Sequence, residues 1–330
     1  QFLSFYSFLM MLISIIIPIF NTARYIKRLC DSLKAQNLRD VELIFIDDCS
    51  IDNSVEQLEA CLGDLHHTDV KVIKNESNIG IGNTRNKGIQ IAQGDYVIFI
   101  DSDDFVSDNY IFELKRVANN AIYDIIVFDY IELYKTKQVY KKCTLPNERK
   151  KIIANLLIGK LHNSFWNKLI KRSLFLDNNI LIPKDMNYLE DKAVCFQLFE
   201  KTNEIFYINC SLYYYDRTRN TSLTTTNNRR YIFDALRLLT VINNHFKEKK
   251  TDPIISSAIQ MNRILNTGYI ALMEGNSSRN SFLPQIGCIS LCSFFKKFSI
   301  PIHYKVAAFC YYYNLQPIVS LLQKTYSKFK

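Results

Sequence analysis

Apolar residues enter the first 130 positions in two alternating rhythms. Short unbroken runs of branched and aromatic side chains predict buried strands over residues 13–18, 42–46, 70–73, 96–100 and 124–128. Between them, apolar positions recur every three or four residues and predict helices. The first, opened near Asn21 or Thr22, carries Ile26, Leu29 and Leu33 on one face, and the second, behind Asp52 as its cap, carries Val55, Leu58 and Leu62. A third is expected over 82–93. Strand and helix in repetition is the pattern of a parallel βαβ sheet, so the expected class is α/β. Past Tyr130 the alternation fades into Lys- and Tyr-rich segments, a helix over 151–161 and a polar, aromatic stretch over 162–168. Residues 229–330 read as mainly helical, with mixed apolar and basic faces. The expected segmentation is an N-terminal extension at 1–11, a first half at 12–130, a second at 131–228 and a helical basic region at 229–330.

Residues 1–23 hold no charge and imitate a membrane span or signal peptide. Pro18 and Asn21 interrupt the stretch, Arg24 ends it and no basic segment precedes it, so a buried strand over 12–17 is the better reading. Met10 and Met11 each suit a start, which would make residues 1–9 upstream sequence. At 330 residues, 48% hydrophobic and 22% charged with 9 Gly and 7 Pro, the chain is no collagen-like, low-complexity or disordered polymer. Its nine cysteines form no C-x-x-C pair and are expected to be reduced core thiols of a cytoplasmic protein. The formal charge of +9 is concentrated: residues 281–330 contain Lys296, Lys297, Lys305, Lys324, Lys328 and Lys330 and no acid. With Phe294, Phe295, Phe298 and Tyr311, Tyr312 and Tyr313 among them, these lysines predict a helix lying on an anionic membrane surface.

The polar residues that matter sit where the strands end, because ligands of an open parallel sheet bind outside its carboxyl edge. The first strand runs into Phe20 and Asn21, the second into Asp47 and Asp48, and the fourth into Asp101, Ser102, Asp103 and Asp104. Carboxylates gathered on adjacent strand ends repel one another unless a cation or ligand donor joins them. Asp101 and Asp103, at alternate positions, suit Mg²⁺ or Mn²⁺, which is held by one or two carboxylates together with substrate phosphates. Neither a G-x-G-x-x-G turn nor a phosphate-cradling P-loop follows a strand, which excludes the common dinucleotide and nucleoside-triphosphate sites.

Together with the segments at 14–21, 47–54 and 78–88, the D-x-D at Asp101 and Asp103 resembles a family 2 glycosyltransferase of the GT-A fold, with a mainly parallel, Rossmann-like sheet, flanking helices and a mainly helical C-terminal region. Trp166, Asn167, Lys168 and Leu169, then Glu190 and Asp191, resemble acceptor-side motifs of bacterial capsule, exopolysaccharide and lipopolysaccharide transferases. The resemblance implies that the 12–130 half binds a nucleotide sugar, UDP-linked, and the 131–228 half an acceptor. Pro18, Phe20 and Asn21 would line the nucleotide pocket, Asp48 meet the uracil edge, Arg85 hold the nucleotide and Asp101 face the ribose. Asp103 would hold Mn²⁺ or Mg²⁺, Asp191 would be the general base, and Trp166, Lys168 and Glu190 would touch acceptor or donor sugar. The implied enzyme is an inverting hexosyl- or N-acetylhexosaminyl-transferase acting on a glycan or lipid-linked oligosaccharide.

Departures from that pattern are few. Thr84 replaces the usual alanine before Arg85, and Thr221 stands where a glycine precedes the serine, leaving Arg217 or Arg219 for the usual arginine. The Q-x-x-R-W element of processive synthases is missing, so transfer of one sugar is expected. A non-catalytic sugar-nucleotide or membrane-binding relative is the competing reading, and nucleic acid is not an expected partner because the basic tail carries no recognised binding module. His162 and His245 read as structural or surface histidines rather than metal ligands.

Overall fold

The computed structural model describes residues 11–63, 69–120, 122–218, 229–274, 279–295 and 300–328. The expected 1–11 extension lies outside them except for Met11, as do Arg219, Thr221, Lys296, Lys297, Phe298 and Lys330. The chain divides into two compact units: Gln1–Leu145, Ser164–Asp185 and Gln197–Asn220 form one, and Pro146–Asn163, Met186–Phe196 and Thr221–Lys330 the other. These units interleave along the chain instead of following the expected consecutive segments.

In the first unit, β1 (Ile13–Ile19), β2 (Val41–Asp47), β3 (Asp69–Lys74) and β4 (Tyr96–Phe99) pair in the order β3-β2-β1-β4, all parallel. Every residue of β1 and β2 is buried, as unbroken apolar runs require of interior strands. Helices α1 (Ala23–Lys34), α2 (Ser54–Leu62) and α3 (Ile81–Ile91) make the crossovers. Gly88 lets α3 lie directly on the sheet, since a Cβ there would sit 2.4 Å from the Ile16 side chain. Beyond β4 the sheet turns mixed. It continues through β5 (Phe105–Val106), α4 (Tyr110–Ala118), β6 (Ile125–Leu133), β7 (Gln138–Lys141), β8 (Lys168–Lys171), α6 (Arg172–Asp177) and β9 (Ile205–Asp216). Here β8 is antiparallel to both β4 and β6, and β9 is parallel to β6 but antiparallel to β5. Strand β6 is longer than expected and passes uninterrupted through position 130.

The second unit is helical: α5 (Arg149–Ile158), the start of α7 (Glu190–Lys201), α8 (Arg229–Phe246), α9 (Pro253–Glu274), α10 (Arg279–Ile286), α11 (Leu291–Phe295), α12 (Ile302–Tyr312) and α13 (Gln316–Lys328). Gly268 on α9 allows α12 to cross closely, because a Cβ would lie 2.2 Å from the Tyr304 carbonyl oxygen. Two expectations are corrected here. Phe294 and Tyr311 are packed into this unit's core and do not face outward, and Cys288 and Cys292 are exposed, unlike the buried Cys30, Cys61, Cys143, Cys195 and Cys310. No helix among the described residues is long and apolar enough to cross a membrane. His245 packs edge-on against Phe196, 5.1 Å between ring centroids, and lies 2.8 Å from the Lys249 ammonium, as a structural histidine would.

At the amino edge of the parallel strands a fully buried carboxylate is satisfied internally. Glu42 accepts from the Ser14 hydroxyl, the Gln93 N–H and the Lys71 ammonium, while Ser14 accepts in turn from the Gly94 N–H. Burial by itself would raise its pKa, but the Gln93 N–H, Lys71 and Ser14 outweigh it and hold the carboxyl below its usual range. Glu42→Gln is expected to cost about 1.5–3 kcal/mol at neutral pH by denaturant titration. Because the folded pKa lies below the unfolded one, this contribution is present above the unfolded value and fades as pH falls through the folded one. A gap between parent and variant that stays constant into acid would refute the assignment.

Candidate functional site

The carboxyl edge of the parallel strands is stitched loop to loop. Asn21, directly after β1, adopts a left-handed conformation (φ 53°) that asparagine tolerates better than most residues. Its N–H donates to the Ser50 hydroxyl (3.0 Å) and its side-chain oxygen accepts from the Ile51 N–H (2.9 Å), binding the β1 exit to the β2 exit. The start of α1 is capped from the neighbouring loop, where neither Asn21 nor Thr22 supplies the side-chain cap that the sequence led one to expect. The Asp52 carboxylate accepts from Ala23 N–H (3.1 Å), and also from Ser54 N–H (3.0 Å) at the start of α2, whose cap position is Asn53. Phe20 is 47% exposed at the strand exit, whereas Pro18 is buried within β1.

Asp48 is 4% exposed and its oxygens are turned to the next loop: Asn75 Nδ2 and the N–H groups of Ile79 and Gly80 all donate to it at 2.8–2.9 Å. It thus shapes the approach to α3. From that helix Arg85, itself 4% exposed, extends a guanidinium 2.9 Å from the Asp101 carboxylate and over the rings of Phe99 and Phe165 (5.9 and 5.7 Å to the ring centroids). Thr22 and Ser102 hydroxyls meet at 2.9 Å, joining the β1 exit to the turn after β4.

That turn carries the D-x-D. Asp104 N–H donates to the Asp101 carbonyl (3.0 Å), closing residues 101–104 into a tight reversal. Asp103 is 5% exposed, and its carbonyl accepts from Arg28 (2.8 Å). Asp104 is wholly buried; burial first, and then the Asp101 charge, raise its pKa well above the usual carboxylate value. Arg28, Tyr213 and Asp216, which surround this turn, were not singled out from sequence as site residues. The available signal was the strand alternation that places Tyr213 and Tyr215 on one face, ending at Asp216.

The acceptor-side residues fall in two settings. Trp166, in a short 3₁₀ turn (Phe165–Asn167), is 3% exposed and lies flat on Tyr213, with 4.5 Å between ring centroids and 8° between planes. Lys168 is fully buried, its ammonium donating to the Ser164 carbonyl and to Asn167 Oδ1, both at 2.7 Å. Both support the protein from within. Glu190 (8% exposed) and Asp191 (half-buried) open α7 in the second unit, where the helix dipole favours negative charge.

Residues 14–177, about half of the chain, match the family profile described as Glycosyl transferase family 2. The chain belongs to glycosyl transferase family 2. It is 30% identical over 210 residues to EpsH of Bacillus subtilis, a match covering 62% of this chain and 60% of EpsH, so it spans well under two thirds of that relative. The fold is GT-A. The crystal structure of Staphylococcus aureus TarS 1–349 in complex with UDP-GlcNAc superposes with a TM-score of 0.72 at 17% identity, over 97% of this chain and 93% of that one. The mannosyltransferase PcManGT of Pyrobaculum calidifontis, in complex with GDP-Man and Mn²⁺, gives 0.55 at 13% identity, over 94% and 84%.

Members of this family commonly use a divalent metal, and the donor set here suits one. Among the described residues no group of three or more His, Cys, Asp or Glu side chains is placed to hold a cation alone. A hard cation there would take the Asp103 carboxylate, with Asp101 two residues away in sequence, and complete its shell with phosphate oxygens. The buried half of the Arg85–Asp101 pair makes a test of the site's electrostatics. Arg85→Leu is expected to destabilise the protein by about 1.5–3 kcal/mol, because the partly exposed partner carboxylate loses its charged hydrogen bond. Adding Asp101→Asn should recover part of that loss in a denaturant-measured double-mutant cycle; strictly additive losses would show that the two do not act as a pair.

Proposed function

We propose that the protein transfers one sugar from a UDP-linked nucleotide sugar to a hydroxyl of a glycan or lipid-linked oligosaccharide in bacterial surface-polysaccharide synthesis, with inversion at the anomeric carbon. The observation that carries this reading is the stitched edge itself: the exits of β1, β2 and β4 bring Phe20 and Asn21, Asp48, and Asp101 to Asp103 to the same end of one parallel sheet, with Arg85 reaching in from α3. That is where an open α/β sheet takes its ligand. The UDP-GlcNAc bound to TarS, a protein named as a poly(ribitol-phosphate) beta-N-acetylglucosaminyltransferase, supports a uridine nucleotide and a hexosyl or N-acetylhexosaminyl group.

In this reading the exposed Phe20 and the Asn21 turn border the nucleotide, Asp48 sets the loop beside the base, and Asp101, held by Arg85, faces the ribose. Asp191 accepts the proton of the incoming hydroxyl as its oxygen bonds to the anomeric carbon from the face opposite the nucleotide. The bond from that carbon to the diphosphate oxygen breaks in the same step, and the electron pair leaves with the nucleoside diphosphate. A divalent cation at Asp103, when bound, would neutralise the charge developing on that leaving group. Support for Asp191 as base is its place beside Glu190 in the first turn of α7, half-buried in a position that stabilises negative charge.

The C-terminal helices are assigned to an anionic membrane surface at the cytoplasmic face. On α12, Ile302 (71% exposed) and Val306 (38%) share a face with Phe309 and, just past the helix, Tyr313; Phe295 (74%) lies beside Phe309. Residues 281–330 hold no acid to oppose anionic lipid.

Calorimetry should show Mn²⁺-dependent binding of UDP in preference to GDP and CDP, lost in Asp103→Asn. Asp191→Asn should bind as the parent does while kcat falls by about 10²- to 10⁴-fold. Absence of nucleotide binding by folded parent protein would favour a non-catalytic relative, and an α-linked product from an α-linked donor by proton NMR would rule out single displacement. Sedimentation with vesicles should show binding to anionic but not neutral phospholipid, reduced at least about tenfold in the Ile302→Asp, Val306→Asp double variant; equal binding by the variant would remove α12 from the interface.

A further inference from the structure

Asp104 sits one residue beyond the D-x-D and touches nothing outside the protein, yet it is the most enclosed carboxylate of the turn. Its Oδ2 accepts from the Tyr213 hydroxyl (2.8 Å) and its Oδ1 from the Asp216 N–H (2.8 Å). The Tyr213 oxygen accepts from the Asp101 N–H (3.1 Å). One phenol therefore spans the turn, accepting from the N–H of its first residue, which can only donate, and donating to the carboxylate of its last. Asp216 extends the chain of contacts. Its carboxylate accepts from Thr218 N–H (2.8 Å) and pairs with Arg28 (2.7 Å), and the same Arg28 nitrogen donates to the Asp103 carbonyl (2.8 Å). The guanidinium is placed 4.5 Å over the Phe105 ring, and Tyr213 is clamped against Trp166. The turn is thus gripped at the Asp101 N–H, the Asp103 carbonyl and the Asp104 carboxylate, in each case by a group on or anchored to the end of β9.

We infer that Tyr213 and Asp104, backed by Asp216 and Arg28, are positioning residues that latch the 101–104 turn to β9 and so set where the Asp101 and Asp103 carboxylates stand. None of the four is a ligand of nucleotide or cation in this arrangement. Their effect on the donor, which rests on the binding role proposed above for the turn, is exerted through backbone placement: a D-x-D works only if both carboxylates are held where the phosphates and ribose arrive. Two carboxylates fixed in this way lose less conformational freedom on binding than two on a loose loop. A phenol hydroxyl bonded to a buried carboxylate is strong enough to impose that order, and leaving either group unsatisfied is costly.

The latch can be read without any ligand. Tyr213→Phe keeps the ring on Trp166 and removes only the hydroxyl. In the ligand-free protein, amide exchange in the 101–106 peptide should accelerate by about tenfold or more relative to the parent. Tyr207→Phe deletes a comparable phenol–carboxylate contact elsewhere on β9, where Tyr207 donates to Asp129 (2.8 Å), and should leave that peptide unchanged. With UDP present, the Mn²⁺ concentration for half-saturation should rise by about tenfold in Tyr213→Phe, and Asp104→Asn, whose amide can accept from the phenol or from the Asp216 N–H but not from both, should do the same. The double variant should be no worse than the worse single one, because the two act as one contact. Should Tyr213→Phe not fold, Arg28→Gln, at a 38% exposed side chain, reads the same turn through the Asp103 carbonyl and should also speed exchange there. Unchanged exchange in Tyr213→Phe, or an equal change in Tyr207→Phe, would overturn the latch. Faster exchange in a protein that binds no nucleotide would keep the latch and overturn the donor-binding role.

Discussion

Negative charge gathered at the carboxyl edge of a parallel sheet is the constraint on which the rest of this structure depends. Asp47, Asp48, Asp101, Asp103 and Asp104 lie on the exits of two strands that flank β1, and two unit charges about 4 Å apart at a protein surface cost on the order of 4 kcal/mol. The chain answers that conflict in three ways. Backbone N–H groups take up Asp47 and Asp48, a guanidinium answers Asp101, and enclosure with a phenol and an N–H holds Asp104. Under the proposed function, these devices would leave the turn after β4 as the place where an incoming cation and diphosphate gain most.

The packing that brings Arg85 to Asp101 begins in the sheet. Close approach of α3 to β1 needs a residue without a side chain at position 88, and Gly82 fits beneath the Pro183 carbonyl, 2.5 Å from where a Cβ would stand. Asn86 completes the seat, donating to the Ile182 carbonyl and accepting from the Ile182 N–H, as a neighbouring strand would. A helix held so closely on both sides delivers a buried cation to a fixed point without a flexible loop. At the opposite edge, Glu42 shows the same principle without a ligand: buried charge is tolerated when both oxygens meet donors, and there the donors come from the chain itself.

How much of this was readable in the sequence follows from the range of each interaction. The parallel strands were legible because burial on both faces leaves an unbroken apolar run, and their ends were placed within a residue or so by the acids and amides that must face water or ligand. Asn21, Asp48, Asp101 and Asp103 were legible for the same reason. Long-range pairings were not. Nothing local announces that Asp52 caps α1 across the gap between two loops, that Asp48 spends its oxygens on the 75–80 loop, or that β9 returns parallel to β6 with its register shifted near Asp129. The aromatic, basic tail misled in one respect: composition cannot say which ring of a helix turns inward, and Phe294 and Tyr311 are in the core while Phe295 is out.

Trp166 and Lys168 carry the most instructive difference. Both lie in a segment that resembles an acceptor motif, and both are buried. Their burial ties them to the site by another route. Trp166 stacks on the very ring whose hydroxyl spans the Asp101 to Asp104 turn, and Lys168 fixes the 3₁₀ turn that presents Trp166 by donating to the carbonyl at its start and the amide at its end. A side chain can be indispensable to a sugar-binding edge while never touching sugar, provided the contact it makes is with the group that places the carboxylates. If the turn holds the donor as proposed, a substitution at Trp166 acts on donor binding through Tyr213, whatever further contact the motif makes with an acceptor.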